Sequence, residues 1–435
     1  MAAHQKGNTA GDSKSQEEAM NVIRKMTKGN NKPEEECWLQ IKKGLWITDE
    51  ICDAVQETKA RHKKATICCS CDGKIGRLLK ILLSEGSACS CLTLDQITLL
   101  CGDQERNQGL VTWQALGSAL ASSNLKHLTI TNTSLPPQGM AALAAGLGVS
   151  STRLQTLTLA DTQWEEADDK ALASALSHNR HLQTIRWQRC GLEDARLARL
   201  VQSLRDHPSL LELSLSGNKF AHETSVALSE LLQCSDLQSL CLDNHAYRHR
   251  RNRDKLNIEM LALALGHNTK LRSLDLSDNL LDDTDLDLLA RAMSHHSYLQ
   301  TIILAYNKIS HEGFSRFVHH WLPRIHHLQT LDLRGNWMED IIIGPAKRRN
   351  SSHHEAQLLR NHAIKAMVEL KDVSLIKAVA LPERISPGLW HLLLNRLQKI
   401  LHQQNEATTG LAGTTTIEDL LYLTIRGPMV SSLNL

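Results

Sequence analysis

From Leu125 the chain repeats one pattern of apolar and polar positions. The segments LKHLTITNTSL (from Leu125), LQTLTLADTQW (Leu154), LQTIRWQRCGL (Leu182) and LLELSLSGNKF (Leu210) share it. So do LQSLCLDNHAY (Leu237), LRSLDLSDNLL (Leu271), LQTIILAYNKI (Leu299) and LQTLDLRGNWM (Leu328). Their starts lie 29, 28, 28, 27, 34, 28 and 29 residues apart, and positions 1, 4, 6 and 11 are apolar or aromatic in all eight. A strand has a period of two, so positions 4 and 6 point into a core while 3, 5 and 7 point away from it. Position 9 is Asn218, Asn279, Asn307 and Asn336 in four units, and Thr133, Thr162, Cys190 and His245 in the others. An amide there has donors and an acceptor for buried turn groups; Thr and Cys satisfy them less completely. Between the strands, DKALASALSHN, RLARLVQSLRDHP, SVALSELLQCS, IEMLALALGHN and LDLLARAMSHHS space Ala and Leu at three and four, the mark of a helix with one buried face. Each unit therefore reads as strand, turn, helix and return loop.

This consensus resembles leucine-rich repeats, and the period of 28 or 29 with full helices is similar to the ribonuclease-inhibitor-like class. The resemblance implies an α/β solenoid, a horseshoe with parallel strands on the concave face and helices on the convex face. It covers residues 92–340 well. The polar residues 1–30 are expected to be a disordered tail, and residues 31–91 an N-terminal cap of degenerate repeats. Within that cap, residues 34–60 read as helical, ATICCSC as a strand and GKIGRLLKILLSEG as a helix closed by Gly86. Residues 341–435 are expected to hold a further degenerate repeat, with a ninth strand in LKDVSLIKAVAL from Leu370, the helix GLWHLLLNRLQKILHQQ, and a cap.

Composition narrows the function. Eight Trp, four Tyr and three Phe leave a core that is aliphatic, mainly Leu and Ala. The formal net charge of +2 gives no global pull towards nucleic acid or anionic membrane, so electrostatic recognition has to be local. No apolar run approaches the roughly 18 residues of a spanning helix, and no secretory signal precedes the polar start. Eleven cysteines without a small-scaffold layout suit reduced thiols. A soluble cytoplasmic protein is expected, with the nucleus as an alternative.

Several residue groups invite chemistry. Cys68, Cys69, Cys71, Cys89, Cys91 and Cys101 include two C-x-C pairs, which four thiolates around zinc would explain; buried thiols in an irregular cap explain them equally simply. His178, His207, His267, His295, His296 and His320 recur at helix ends, where a donor suits the exposed carbonyls better than catalysis does. The long spacer after the fifth strand carries Arg248, Arg250, Arg251, Arg253 and Lys255, a basic rim loop suited to an acidic surface or to solvent. No aromatic interleaving accompanies it, which disfavours nucleic acid. Position 5 runs Thr129, Thr158, Arg186, Ser214, Cys241, Asp275, Ile303, Asp332, and position 8 runs Asn132, Asp161, Arg189, Gly217, Asn244, Asp278, Tyr306, Gly335. Arg186, Arg189, Asp243, Asp275, Asp278, Tyr306, Asp332 and Arg334 are the candidate protein-binding residues, since Tyr and Arg dominate interface hot spots.

Neither G-x-x-x-x-G-K-[ST] nor G-x-S-x-G occurs, and no carboxylate pair stands out. No catalytic residue, cofactor or metal ligand is assigned. The expectation is a non-enzymatic, monomeric scaffold that binds a folded protein partner through the concave face. The alternative comes from resemblance: similar repeats occur in the activators of the Ran GTPase. That family has an acidic tail and an arginine in an early repeat loop, and no residue here matches the arginine.

Overall fold

The computed structural model describes residues 37–41, 47–70, 74–98, 103–244, 255–295, 298–321, 324–325, 328, 330–333, 335–336 and 379–380. They divide into two compact units, Met1–Lys219 with Cys234–Asp236, and Phe220–Gln233 with Leu237–Leu435.

In the first unit seven strands follow one another in chain order: β1 (Cys37–Ile41), β2 (His62–Ser70), β3 (Cys91–Thr98), β4 (His127–Thr131), β5 (Thr156–Ala160), β6 (Thr184–Gln188) and β7 (Glu212–Ser214). All six successive pairs are parallel. The helices between them are α1 (Asp49–Thr58), α2 (Ile75–Leu82), α3 (Asp103–Leu120), α4 (Gly139–Leu147), α5 (Asp169–His178) and α6 (Asp194–Gln202). Residues 37–41 correct the helical expectation for that stretch. They form a strand because Leu39 and Ile41 are buried with Gln40 exposed between them, and β2 supplies the hydrogen-bonding partner.

The second unit holds α7 (His222–Cys234) except its last residue, then β8 (Ser239–Cys241), α8 (Ile258–His267), β9 (Ser273–Asp275), α9 (Asp283–His295), β10 (Thr301–Ile303), α10 (His311–Arg316), β11 (Thr330–Asp332) and β12 (Val379–Ala380). Strands β8 to β12 pair parallel in chain order. The ninth strand expected in LKDVSLIKAVAL is β12, at the end of that segment, against Leu331 and Asp332. The polar tail and the C-terminal helix lie outside the described residues.

The repeat positions fill the core as the pattern requires. Leu128 and Ile130, Leu157 and Leu159, Leu274 and Leu276, and Ile302 and Leu304 are all fully buried. Trp164, at position 11, brings a polar N–H inside; its Nε1 donates to Asp169 Oδ1 at 2.9 Å. Arg196 grips the same carboxylate with Nε and Nη2, each at 2.8 Å, so the buried charge is matched.

Position 9 forms a ladder of amides. Asn218 Oδ1 accepts from the Cys190 and Leu192 amides, while its Nδ2 donates to the Trp187 and Leu215 carbonyls. Asn307 does the same for Asn279, Leu281, Leu276 and Leu304. Thr162 gives one hydroxyl to the Ile130 or Ala160 carbonyl, and Cys190 one thiol to Leu159 or Gln188. A second amide set closes helices: Asn179 and Asn268 accept from two following amides and donate back to Leu147 and Leu232.

Candidate functional site

The face of the sheet turned away from the helices is set by strand register. In the first unit Thr93, Thr129, Thr158, Arg186 and Ser214 align across β3 to β7. Arg186 donates through Nε and Nη2 to Glu212 Oε1, at 3.1 and 2.7 Å. Arg189 makes a two-pronged pair with Asp161, Nε to Oδ1 at 2.9 Å and Nη2 to Oδ2 at 2.6 Å. Both guanidinium groups are thus held in place by neighbours one repeat away. Burial alone would raise the Asp95 carboxyl, yet hydrogen bonds from Asn132 and Thr131 outweigh it and hold the group below the usual carboxylate range.

In the second unit β10 places Ile303 between Asp275 and Asp332. Asp275 Oδ1 accepts from the Ser277 amide at 2.9 Å and its hydroxyl at 2.6 Å, and Oδ2 lies 3.7 Å from Cys241 Sγ. Asp278 and Asp332 are buried, and Tyr306 is exposed. Asp243 completes the described acidic residues of this face. Arg334 and the basic residues Arg248, Arg250, Arg251 and Arg253 lie outside the described residues. Lys255, at the end of that basic segment, is held by Asp285 at 2.6 Å and Asp282 at 3.0 Å.

Position 8 has a backbone role that its varied residue types conceal. Asn132, Asp161, Arg189, Gly217, Asp278, Tyr306 and Gly335 all have positive φ, between 49° and 70°. The chain turns there so that position 9 can point inward. Gly, Asn and Asp accept this conformation readily, whereas Arg and Tyr meet a cost of roughly 1 kcal/mol or more. A Cβ on Gly335 would run into the Tyr306 ring, so the ring lies across that α-carbon. The signal was in the sequence: Gly, Asn and Asp recur at position 8.

Among the described cysteines, Cys68 and Cys91 do not share one place. Register puts Cys91 opposite Lys64 and Cys68 opposite Asp95, four residues apart, roughly 13 Å along a strand. Burial pushes the Cys89 thiol up to about 12. Cys71 and Cys101 lie outside the described residues, and among the described residues no group of His, Cys, Asp or Glu is arranged for a metal ion. His178 and His267 place Nδ1 at 2.7 and 2.9 Å from the carbonyls of Ser174 and Leu263, closing the helix ends. His207 is buried instead, and desolvation, aided by the Arg180 charge, lowers it to about 4. Among the described residues no helix is long and apolar enough to cross a membrane.

The chain matches the family model described as Leucine Rich repeat at residues 267–290 and 324–343. It is 33% identical over 136 residues to human NACHT, LRR and PYD domains-containing protein 5, covering 31% of this chain and 11% of that protein. Mouse NACHT, LRR and PYD domains-containing protein 14 is 31% identical over 169 residues, 38% of this chain and 16% of its own. Human Capping protein, Arp2/3 and myosin-I linker protein 3 is 31% identical over 198 residues, 44% of this chain and 14% of its own. The alignments thus span 11% to 16% of these relatives' lengths. With the tandem strand–turn–helix units and the position-9 amides already described, these matches identify the chain as a leucine-rich repeat protein.

Proposed function

We propose that the chain is a non-enzymatic scaffold that binds a folded protein partner through the open, strand-bearing face of its repeats. Leucine-rich repeat proteins generally mediate protein–protein interaction, and one relative is named as a linker of capping protein, Arp2/3 and myosin-I. The observation that carries the reading is the fixed local geometry of the open face within each unit. Arg186 and Arg189 are held by Glu212 and Asp161, and Tyr306 by its contact with Gly335. Side chains already ordered lose little freedom on docking, which leaves more of the contact energy as affinity. Of the candidate residues, Arg186, Arg189, Asp243, Asp275 and Tyr306 are open enough to supply the contacts, while Asp278 and Asp332 are buried beneath them.

The test is affinity capture by the intact chain, by Arg186→Glu with Asp275→Arg, and by a chain lacking residues 247–255. The double variant is expected to lose the partner at unchanged circular dichroism. Undiminished capture removes the face from consideration, and loss only in the deletion transfers the role to the basic segment.

A further inference from the structure

The second unit's face has an acceptor-rich centre, and its chemistry specifies a ligand. Row 3 of its strands is Ser239, Ser273, Thr301 and Thr330, and row 5 is Cys241, Asp275, Ile303 and Asp332. Asp243 and Asp278 lie at the strand ends, with Tyr306 between Asp278 and Gly335 in the row of turn residues. Asp278 and Asp332 are buried, so Asp243 and Asp275, both half-buried, are the carboxylates of this patch that reach its surface.

A second observation points the same way. Asn244 stands beside Asp278, because its amide donates to the Ser277 carbonyl at 3.0 Å. The residue is 6% exposed, and among the described residues no group donates a hydrogen bond to Oδ1. A buried acceptor of this kind calls for a donor that the described residues do not supply. Asp275 contributes likewise: Ser277 occupies Oδ1, while the described contact of Oδ2 is a weak thiol donor.

The remaining surface is flat and apolar. Ile303 separates the two row-5 carboxylates, and the Tyr306 ring is 39% exposed and pinned across Gly335. Tyr306 keeps this place with φ at 57°, a conformation that a bulky side chain rarely adopts.

From this arrangement we infer that the patch around Asp275, Ile303 and Tyr306 receives an arginine side chain from a basic segment of a partner protein. Guanidinium offers five N–H donors in a plane, which suits carboxylate and amide acceptors together. Its flat face stacks on Tyr306, and its methylene stem covers Ile303. A lysine ammonium makes the charge contact but not the planar one.

This inference rests on the open face being a binding surface, and its test separates the two. The probe is a fluorescent peptide of alternating arginine and serine, with lysine and citrulline versions, titrated against the full chain and followed by anisotropy at low and high salt. The arginine peptide is expected to bind about tenfold tighter than the lysine peptide, with citrulline weaker still and affinity falling with salt. Asp275→Asn and Tyr306→Gly are each expected to weaken arginine-peptide binding about five- to tenfold. Tyr306→Gly relieves the turn's backbone, so its melting temperature stays level or rises and misfolding does not account for the loss. Equal affinity for the variants, equal binding of citrulline, or preference for an acidic peptide overturns the inference. So does concentration-dependent self-association, in sedimentation velocity, that Asp275→Asn abolishes while the peptide fails to bind. If the peptide fails but the Arg186→Glu, Asp275→Arg variant still loses protein capture, the binding-face reading stands and the arginine assignment alone is wrong.

Discussion

Replacing Asn307 with alanine isolates what the position-9 ladder contributes. In the native protein Oδ1 accepts from the Asn279 amide at 2.8 Å and the Leu281 amide at 3.1 Å, both fully enclosed. Nδ2 donates to the carbonyls of Leu276 and Leu304, each at 3.0 Å. The Leu304 carbonyl keeps a second donor, Asn336 Nδ2 at 2.8 Å, so the loss falls on two N–H groups and one carbonyl. Each buried group left without a partner costs about 1–2 kcal/mol, so Asn307→Ala is expected to destabilise by roughly 3–6 kcal/mol. Asn307→Thr retains one hydroxyl, as at Thr162, and is expected to cost about half of that. Native-state hydrogen exchange reads this locally: the Asn279 and Leu281 amides should exchange roughly 10²- to 10³-fold faster in the alanine variant. Urea unfolding of the same variant gives the global figure. A loss below about 1 kcal/mol, with those two amides unaltered, would refute the ladder as a source of stability.

Three further outcomes follow from the geometry. Gly146→Ala drives a Cβ into the Gly117 carbonyl where α3 and α4 meet, so it is expected to cost about 3 kcal/mol; an unchanged melting temperature contradicts that packing. Arg189→Gly removes a half-exposed ion pair and relieves a left-handed backbone at the same time, so thermal denaturation should show a net change within about 1 kcal/mol. His207 titrates near 6.5 when unfolded and at about 4 when folded, so the unfolded chain binds more protons between those values. Its contribution is full above the upper value and is lost as pH falls towards the lower. His207→Gln should flatten that part of the stability profile by about 2–3 kcal/mol, and an unchanged profile shows the imidazole to be solvated.

The pattern of Leu and Asn determined the fold class, because strand and helix periods are local properties of the chain. Leu274, Leu276 and Asn279 bury as their spacing requires whatever their neighbours are. Residues 37–41 misled because five residues are too few to show a period, and only pairing with β2 decides their conformation. The candidate face was legible as a set of outward positions, but its chemistry was not. Arg186 and Glu212, or Arg189 and Asp161, are more than twenty residues apart in sequence, and only parallel register makes them partners. The same holds for Tyr306 lying over Gly335, and for Asp275 and Asp332 on either side of Ile303. Periodicity specifies which way a side chain points. Which charge it meets there is a contact between repeats, so it belongs to the stack and not to any one segment.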